Sequence, residues 1–179
     1  MPAEPALLIL DERSAQNTVA STGTSWRLIT DTVMGGVSQA RMTHDRLAGR
    51  SCLRLQGDVS LDNQGGFVQI ALDLALEGTL DASGYQGVLI DVYGNAETYN
   101  VHLRTAGMWL PWQSYRASFT APAEWRTVRI PFAQFQPYRM RKDLDTRRLK
   151  RLGLVAIGRA FSADLCLARL ALYRAAALD

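Results

Sequence analysis

The residues equipped for chemistry are few, and their spacing does not suit it. The chain has two histidines, His44 and His102, and neither belongs to an HExxH or related metal-ligand spacing. It lacks a Gly-x-Ser-x-Gly elbow, a Rossmann glycine fingerprint and a reactive-cysteine signature. Asp31, Asp58 and Asp91 are carboxylates that folding could pair for acid–base work, but nothing around them singles them out. The glycines of DTVMGGVS are not a phosphate cradle, because no Lys-Ser/Thr follows them and they lead into a strand-like run. The expectation is a protein with no catalytic residues, no metal and no cofactor.

Residues suited to binding are better represented. Trp109, Trp112 and Tyr115 fall in MWLPWQSY, close behind Arg104. Indoles are usually kept off surfaces, and their flat apolar faces with a polar edge suit sugar stacking or the anchoring of a protein partner. The plainer alternative is that they cap an open end of the core. In DTVMGGVS, Gly35 and Gly36 permit a sharp turn with a close backbone approach, and Asp31 can accept its N–H groups. That segment is either a turn pinned by Asp31 or the rim of a shallow pocket, with Asp31 as polar anchor and Met34 as an adaptable wall. Asn63 opens a second glycine turn, Asn63-Gln64-Gly65-Gly66.

A net charge of +3 on 179 residues is too small for a dedicated nucleic-acid binder, but its placement is uneven. Arg139, Arg141, Lys142, Arg147, Arg148, Lys150 and Arg151 crowd one stretch against Asp143 and Asp145. That stretch is either a solvated edge or a contact patch for an acidic surface. Cys52 and Cys166 form no CxxC pair and lie in strand-like runs, so two half-buried free thiols in a reducing setting are expected. Met1–Leu10 lacks the basic start and long apolar core of a secretory signal, and no apolar run is long enough to span a bilayer. A cytoplasmic chain without a membrane span is the corresponding expectation.

The elements that must position these residues read as short strands separated by turn signals. Candidates are Trp26–Thr30, Val37–Met42, Cys52–Gln56, Phe67–Leu72, Val88–Tyr93, a strand from Tyr99, Ser114–Thr120, Trp125–Ile130, Leu152–Ile157 and Leu165–Tyr173. In the strand from Tyr99, Val101 and Leu103 share one face with Tyr99, while Asn100, His102 and Arg104 take the other. In the last strand Leu165 and Leu167 hold odd positions but Leu170 and Leu172 even ones, which predicts a β-bulge near Ala168-Arg169. Only Phe132–Phe135 and Asp145–Leu152 suggest a helical turn or short helix. Strands without alternating helices imply an all-β antiparallel two-sheet β-sandwich, with residues 1–179 as one domain.

Five segments, in order, carry a family likeness: WRLITDTVMGGVS (26–38), GDVSLDNQGGF (57–67), YQGVLIDVYGNAETYNVHLRT (85–105), WRTVRIPFAQFQP (125–137) and LKRLGLVAIG (149–158). Together they resemble the complex I intermediate-associated protein family, assembly factors of NADH:ubiquinone oxidoreductase. The resemblance implies a jelly roll of the galactose-binding type, a fold also used by many carbohydrate-binding modules. It implies a non-catalytic protein-interaction role with a respiratory-complex subunit or other assembly client as partner. A carbohydrate- or small-ligand-binding module of the same fold is the alternative.

Overall fold

The computed structural model describes residues 6–174. Twelve strands form two antiparallel six-stranded sheets. They are β1 (Ala6–Asp11), β2 (Arg27–Thr30), β3 (Gln39–Leu47), β4 (Arg50–Val59), β5 (Phe67–Asp73), β6 (Gly87–Tyr93), β7 (Glu97–Thr105), β8 (Ser114–Ala121), β9 (Arg126–Pro131), β10 (Gln136–Tyr138), β11 (Leu149–Ile157) and β12 (Phe161–Arg174). The first sheet runs β3-β4-β12-β6-β9, with β1 alongside the far half of β12; the second runs β10-β8-β7-β11-β5-β2.

Period-two alternation explains why these sheets face each other. Leu53 and Leu55 of β4, Val88, Ile90 and Val92 of β6, and the leucines of β12 point inward from the first sheet. Val68, Ile70 and Leu72 of β5, Tyr99, Val101 and Leu103 of β7, and Leu152 and Leu154 of β11 meet them from the second. All belong to one buried apolar cluster. The register of β12 shifts between Leu167 and Arg169, so the bulge keeps both Leu165/Leu167 and Leu170/Leu172 in that core. Trp26 lies just ahead of β2 and is buried, its Nε1 donating to Asp11 Oδ2 at 2.7 Å. Asp11 is in turn paired with buried Arg13 at 2.8 Å.

Three expectations need correction. The cysteines are not free thiols: Cys52 on β4 and Cys166 on β12 form a disulfide, with Cα atoms 5.5 Å apart. These strands are neighbours although 114 residues separate the cysteines, and no local spacing reveals such a pairing. The inference of a reducing setting falls with it. The bond lies outside the main core, beneath Leu47, Tyr93 and Trp125. Secondly, of the two alternatives for Asp145–Leu152 the turn is the one found, as a single 3-10 turn at Thr146–Arg148, but the strand expected from Leu152 begins already at Leu149. Thirdly, β1 and the three-residue β10 were not anticipated, since neither shows a readable alternation. No helix among the described residues is long and apolar enough to cross a membrane. The expectation for Met1–Leu10, and both ends of the expected 1–179 domain, fall in part outside the described residues.

Candidate functional site

Both paired-glycine segments fold around one carboxylate. The chain leaves β2 through a 3-10 turn, Asp31–Met34, which ends at Gly35 in the left-handed region (φ 87°). Asp31 Oδ1 accepts the Ser38 N–H at 3.0 Å, and Oδ2 accepts the Ser38 hydroxyl and the Gly66 N–H, the latter at 2.6 Å. Phe67 N–H adds a longer bond of 3.3 Å. A Cβ on Gly36 would sit 2.5 Å from Asp31 Cγ and 2.8 Å from Gly65 Cα, and one on Gly65 would sit 2.5 Å from Asp31 Oδ2. Glycine at both positions is what lets the loops close. Burial pushes the Asp31 carboxyl up, but the bonds from Ser38, Gly66 and Phe67 outweigh it and hold the group below the usual carboxylate range.

Asp31 and Gly36 are therefore buried under the rim, and the expectation of Asp31 as an anchor for a ligand is corrected to a clasp between loops. Gly35 and Asn63 are exposed, and Asn63 takes the left-handed conformation (φ 55°). Beside the exposed polar residues Thr32, Asp62 and Asn63, this double loop presents three large apolar side chains to solvent, Val33, Met34 and Leu61.

The tryptophan segment is organised by Arg104 at the end of β7. Its Nη1 donates to the carbonyls of Leu110 (3.1 Å), Pro111 (3.2 Å) and Gln113 (2.8 Å), and Nη2 to that of Met108 (3.2 Å). A loop held at four carbonyls keeps Trp109 88% exposed and Trp112 42% exposed. Tyr115 does not join them. As the second residue of β8 it faces the core, only 2% exposed, and its hydroxyl lies 2.9 Å from the Lys142 carbonyl and 3.0 Å from that of Asp143. It tethers the basic loop and is not a contact residue, because alternation places Ser114 and Arg116 on the opposite face.

Between these two loop systems the outer face of the second sheet is hollowed into a cleft of about 670 Å³. Val33, Met34 and Leu61 form one rim; Trp109, Trp112 and Arg139 form the other. The floor is built from outward positions of β5, β7, β8 and β11, among them Gln69, His102, Arg104, Arg116, Arg151 and Gly153. Gly153 lies in the middle of β11, directly opposite His102, and a Cβ there would strike the Gln69 side-chain oxygen at 2.5 Å. His102 is 8% exposed, its Nε2 lacks a hydrogen-bond partner, and burial together with nearby Arg116 lowers its pKa to about 3. It is neutral at ordinary pH.

Charge in the cleft has one sign. Arg104, Arg116, Arg139 and Arg151 line it, and among the described residues no aspartate or glutamate does. Arg151 pairs with Asp73 at 3.0 Å. Arg116 donates instead to Ser114 Oγ (2.8 Å) and the Trp112 carbonyl (3.3 Å), and its guanidinium lies 3.6 Å from the centre of the Tyr138 ring. Burial and the neighbouring Arg151 lower the Arg104 pKa; burial also lowers that of Arg116, with Tyr138 opposing and Arg139 adding to the fall. The cleft can hold a ligand by charge, hydrogen bonds and apolar contact. Asp91, one of the carboxylates that folding could have paired for acid–base work, sits in the first sheet, bonded to Thr127, Arg50 and Arg169.

The basic stretch is split by the fold. Arg139 and Arg151 reach the cleft, whereas Arg141, Lys142, Arg147 and Arg148 are exposed outside its lining, Arg147 against Asp145. Gln69, Arg116, Tyr138, Val33 and Leu61 escaped the sequence reading. Arg116 was within reach of it, because the alternation of β8 puts it on the face shared with His102, but only the pairing of β7 with β8 makes them neighbours.

Comparison with known structures places this geometry. The family 11 carbohydrate-binding module of Clostridium thermocellum, solved in complex with a β-1,3-1,4-mixed-linked tetrasaccharide, superposes with a TM-score of 0.74 at 14% identity, covering 97% of this chain and 98% of that one. A family 30 carbohydrate-binding module gives a TM-score of 0.59 at 15% identity over 100% and 88% of the two chains. An exo-β-agarase matches at a TM-score of 0.62 and 11% identity, covering 97% of this chain but 26% of the enzyme. These likenesses show the fold, a galactose-binding-like jelly roll. No curated protein matches the sequence. The family description Complex I intermediate-associated protein 30 matches residues 15–167, spanning both glycine motifs, the tryptophan loop and the cleft floor, and the chain belongs to that family.

Proposed function

We propose that this chain is a non-catalytic interaction module that holds a protein client in the cleft on the outer face of its second sheet. The observation that carries the reading is the chemistry of the rims. Val33, Met34 and Leu61 on one side and Trp109 and Trp112 on the other form exposed apolar walls, and such walls around a polar floor suit the side chains of a protein segment. Aliphatic rims add little to sugar recognition, which relies on flat aromatic platforms. The family's name supports a client drawn from respiratory complex I or one of its assembly intermediates. The exposed cations Arg141, Lys142, Arg147 and Arg148 would steer an acidic client surface toward the cleft.

A second reading, an oligosaccharide ligand, draws on the two exposed indoles and on the tetrasaccharide held by a module of the same fold. One experiment separates the two. The intact protein and a Trp109→Ser/Trp112→Ser variant are compared in affinity capture from the protein's own cells and on a glycan array. A stoichiometric protein partner lost in the variant, with a blank array, is the expected result. Saturable glycan binding without a protein partner would overturn the first reading in favour of the second.

A further inference from the structure

We infer that the cleft is built for an acidic peptide segment, whose carboxylates sit on the floor arginines while its apolar flanks rest on the two rims. The inference rests on the protein-client reading and adds the client's chemistry.

Among the described residues, four arginines line the cleft and no carboxylate does. Only Arg151 has an acidic partner, Asp73, which lies outside the lining. Arg104 and Arg116 direct their bonds to neutral oxygens, and Nη1 of Arg116 takes part in none of them. Among the described residues, Arg139 forms no ion pair either. Elsewhere on the surface some arginines, among them Arg27, Arg50, Arg54 and Arg159, meet a carboxylate, and others, such as Arg41 and Arg46, bond to neutral oxygens; the cleft differs in gathering four guanidinium groups on one concave wall.

Guanidinium groups held close together without counter-charge repel one another, and a carboxylate brought among them relieves that repulsion and can bind in a two-point fork. A peptide fits better than an acidic sugar for two reasons. The rim opposite the indoles is aliphatic. The Tyr138 ring, which lines the cleft with Phe67 and the two indoles, is already covered by Arg116.

The test uses the whole chain and fluorescence anisotropy with short labelled probes: a leucine-flanked glutamate peptide, its glutamine counterpart, its lysine counterpart, and an oligogalacturonate. The glutamate peptide is expected to bind best, to weaken as salt rises, and to lose about tenfold or more in affinity in Arg116→Gln and in Arg139→Gln. Arg139 is exposed, so its variant keeps the test valid if Arg116→Gln fails to fold. Equal binding of the glutamine peptide would overturn the charge inference while leaving the client reading standing. Binding of the oligogalacturonate alone, abolished by Arg139→Gln, would overturn both. Glutamate-peptide binding untouched by either substitution would show that the contact lies elsewhere, and failure of every probe to bind would likewise overturn the inference.

Discussion

Asp31 accounts for two sequence features that look separate. The paired glycines at 35–36 and 65–66 are 30 residues apart, yet both exist to let backbone close on the same buried carboxylate. The two glycines of the first pair do different work, and substitution can tell them apart. Gly35→Ala meets open space but must hold a φ of 87°, and should cost about 1 kcal/mol. Gly36→Ala drives a methyl into Asp31 and the backbone of Gly65, neither of which can yield, and should cost about 2–3 kcal/mol. Urea denaturation of the two variants measures the difference. Equal losses would mean that the loops do not close on Asp31.

At the scale of elements, β7 carries the site on one face and the core on the other. Tyr99, Val101 and Leu103 are packed between the sheets, while His102 and Arg104 face the cleft between β8 and β11. The floor must therefore bury an imidazole: Arg116 from β8 is the charged group set against it, and Gly153 from β11 brings none. A histidine with a folded pKa near 3 and an unfolded value near 6.5 binds its proton more readily in the unfolded chain. Its contribution to stability is complete above pH 6.5 and is lost as pH falls toward 3. Between pH 6.5 and 5, before carboxylates titrate, the wild type should lose on the order of 1–2 kcal/mol. A His102→Asn variant should show a flat profile over that window in chemical denaturation. A wild-type profile equally flat would place His102 in contact with water.

At the scale of the whole molecule, the disulfide ties β4 to β12 across the sheet that does not carry the cleft, closing a loop of 114 residues. Removing such a constraint costs about 2–4 kcal/mol. A Cys52→Ala/Cys166→Ala variant should melt at a lower temperature while keeping its affinity for any cleft ligand. The denatured, unreduced wild type should resist alkylation until a reductant is added. Immediate alkylation would return both cysteines to the free state.

Much of this was legible in the chain. Ten of the twelve strands could be read from alternating apolar positions or from apolar and β-branched runs bracketed by turn residues, and the bulge in β12 from a single slip of phase, because a strand with one buried face writes its orientation directly into residue order. The same rule put His102 and Arg104 on a common face, and the rarity of exposed indoles marked Trp109 and Trp112 as unusual. Which strands are neighbours is not local information: sheet order joins β4 to β12 and β7 to β11, bringing together residues from distant parts of the chain. Pairing therefore decided that Cys52 meets Cys166, that Arg116 lies opposite His102 and that Arg151 lies opposite Arg104. The surface chemistry of the cleft emerged only once the sheets were assembled, since side chains far apart in sequence share a wall only through hydrogen bonds between strands.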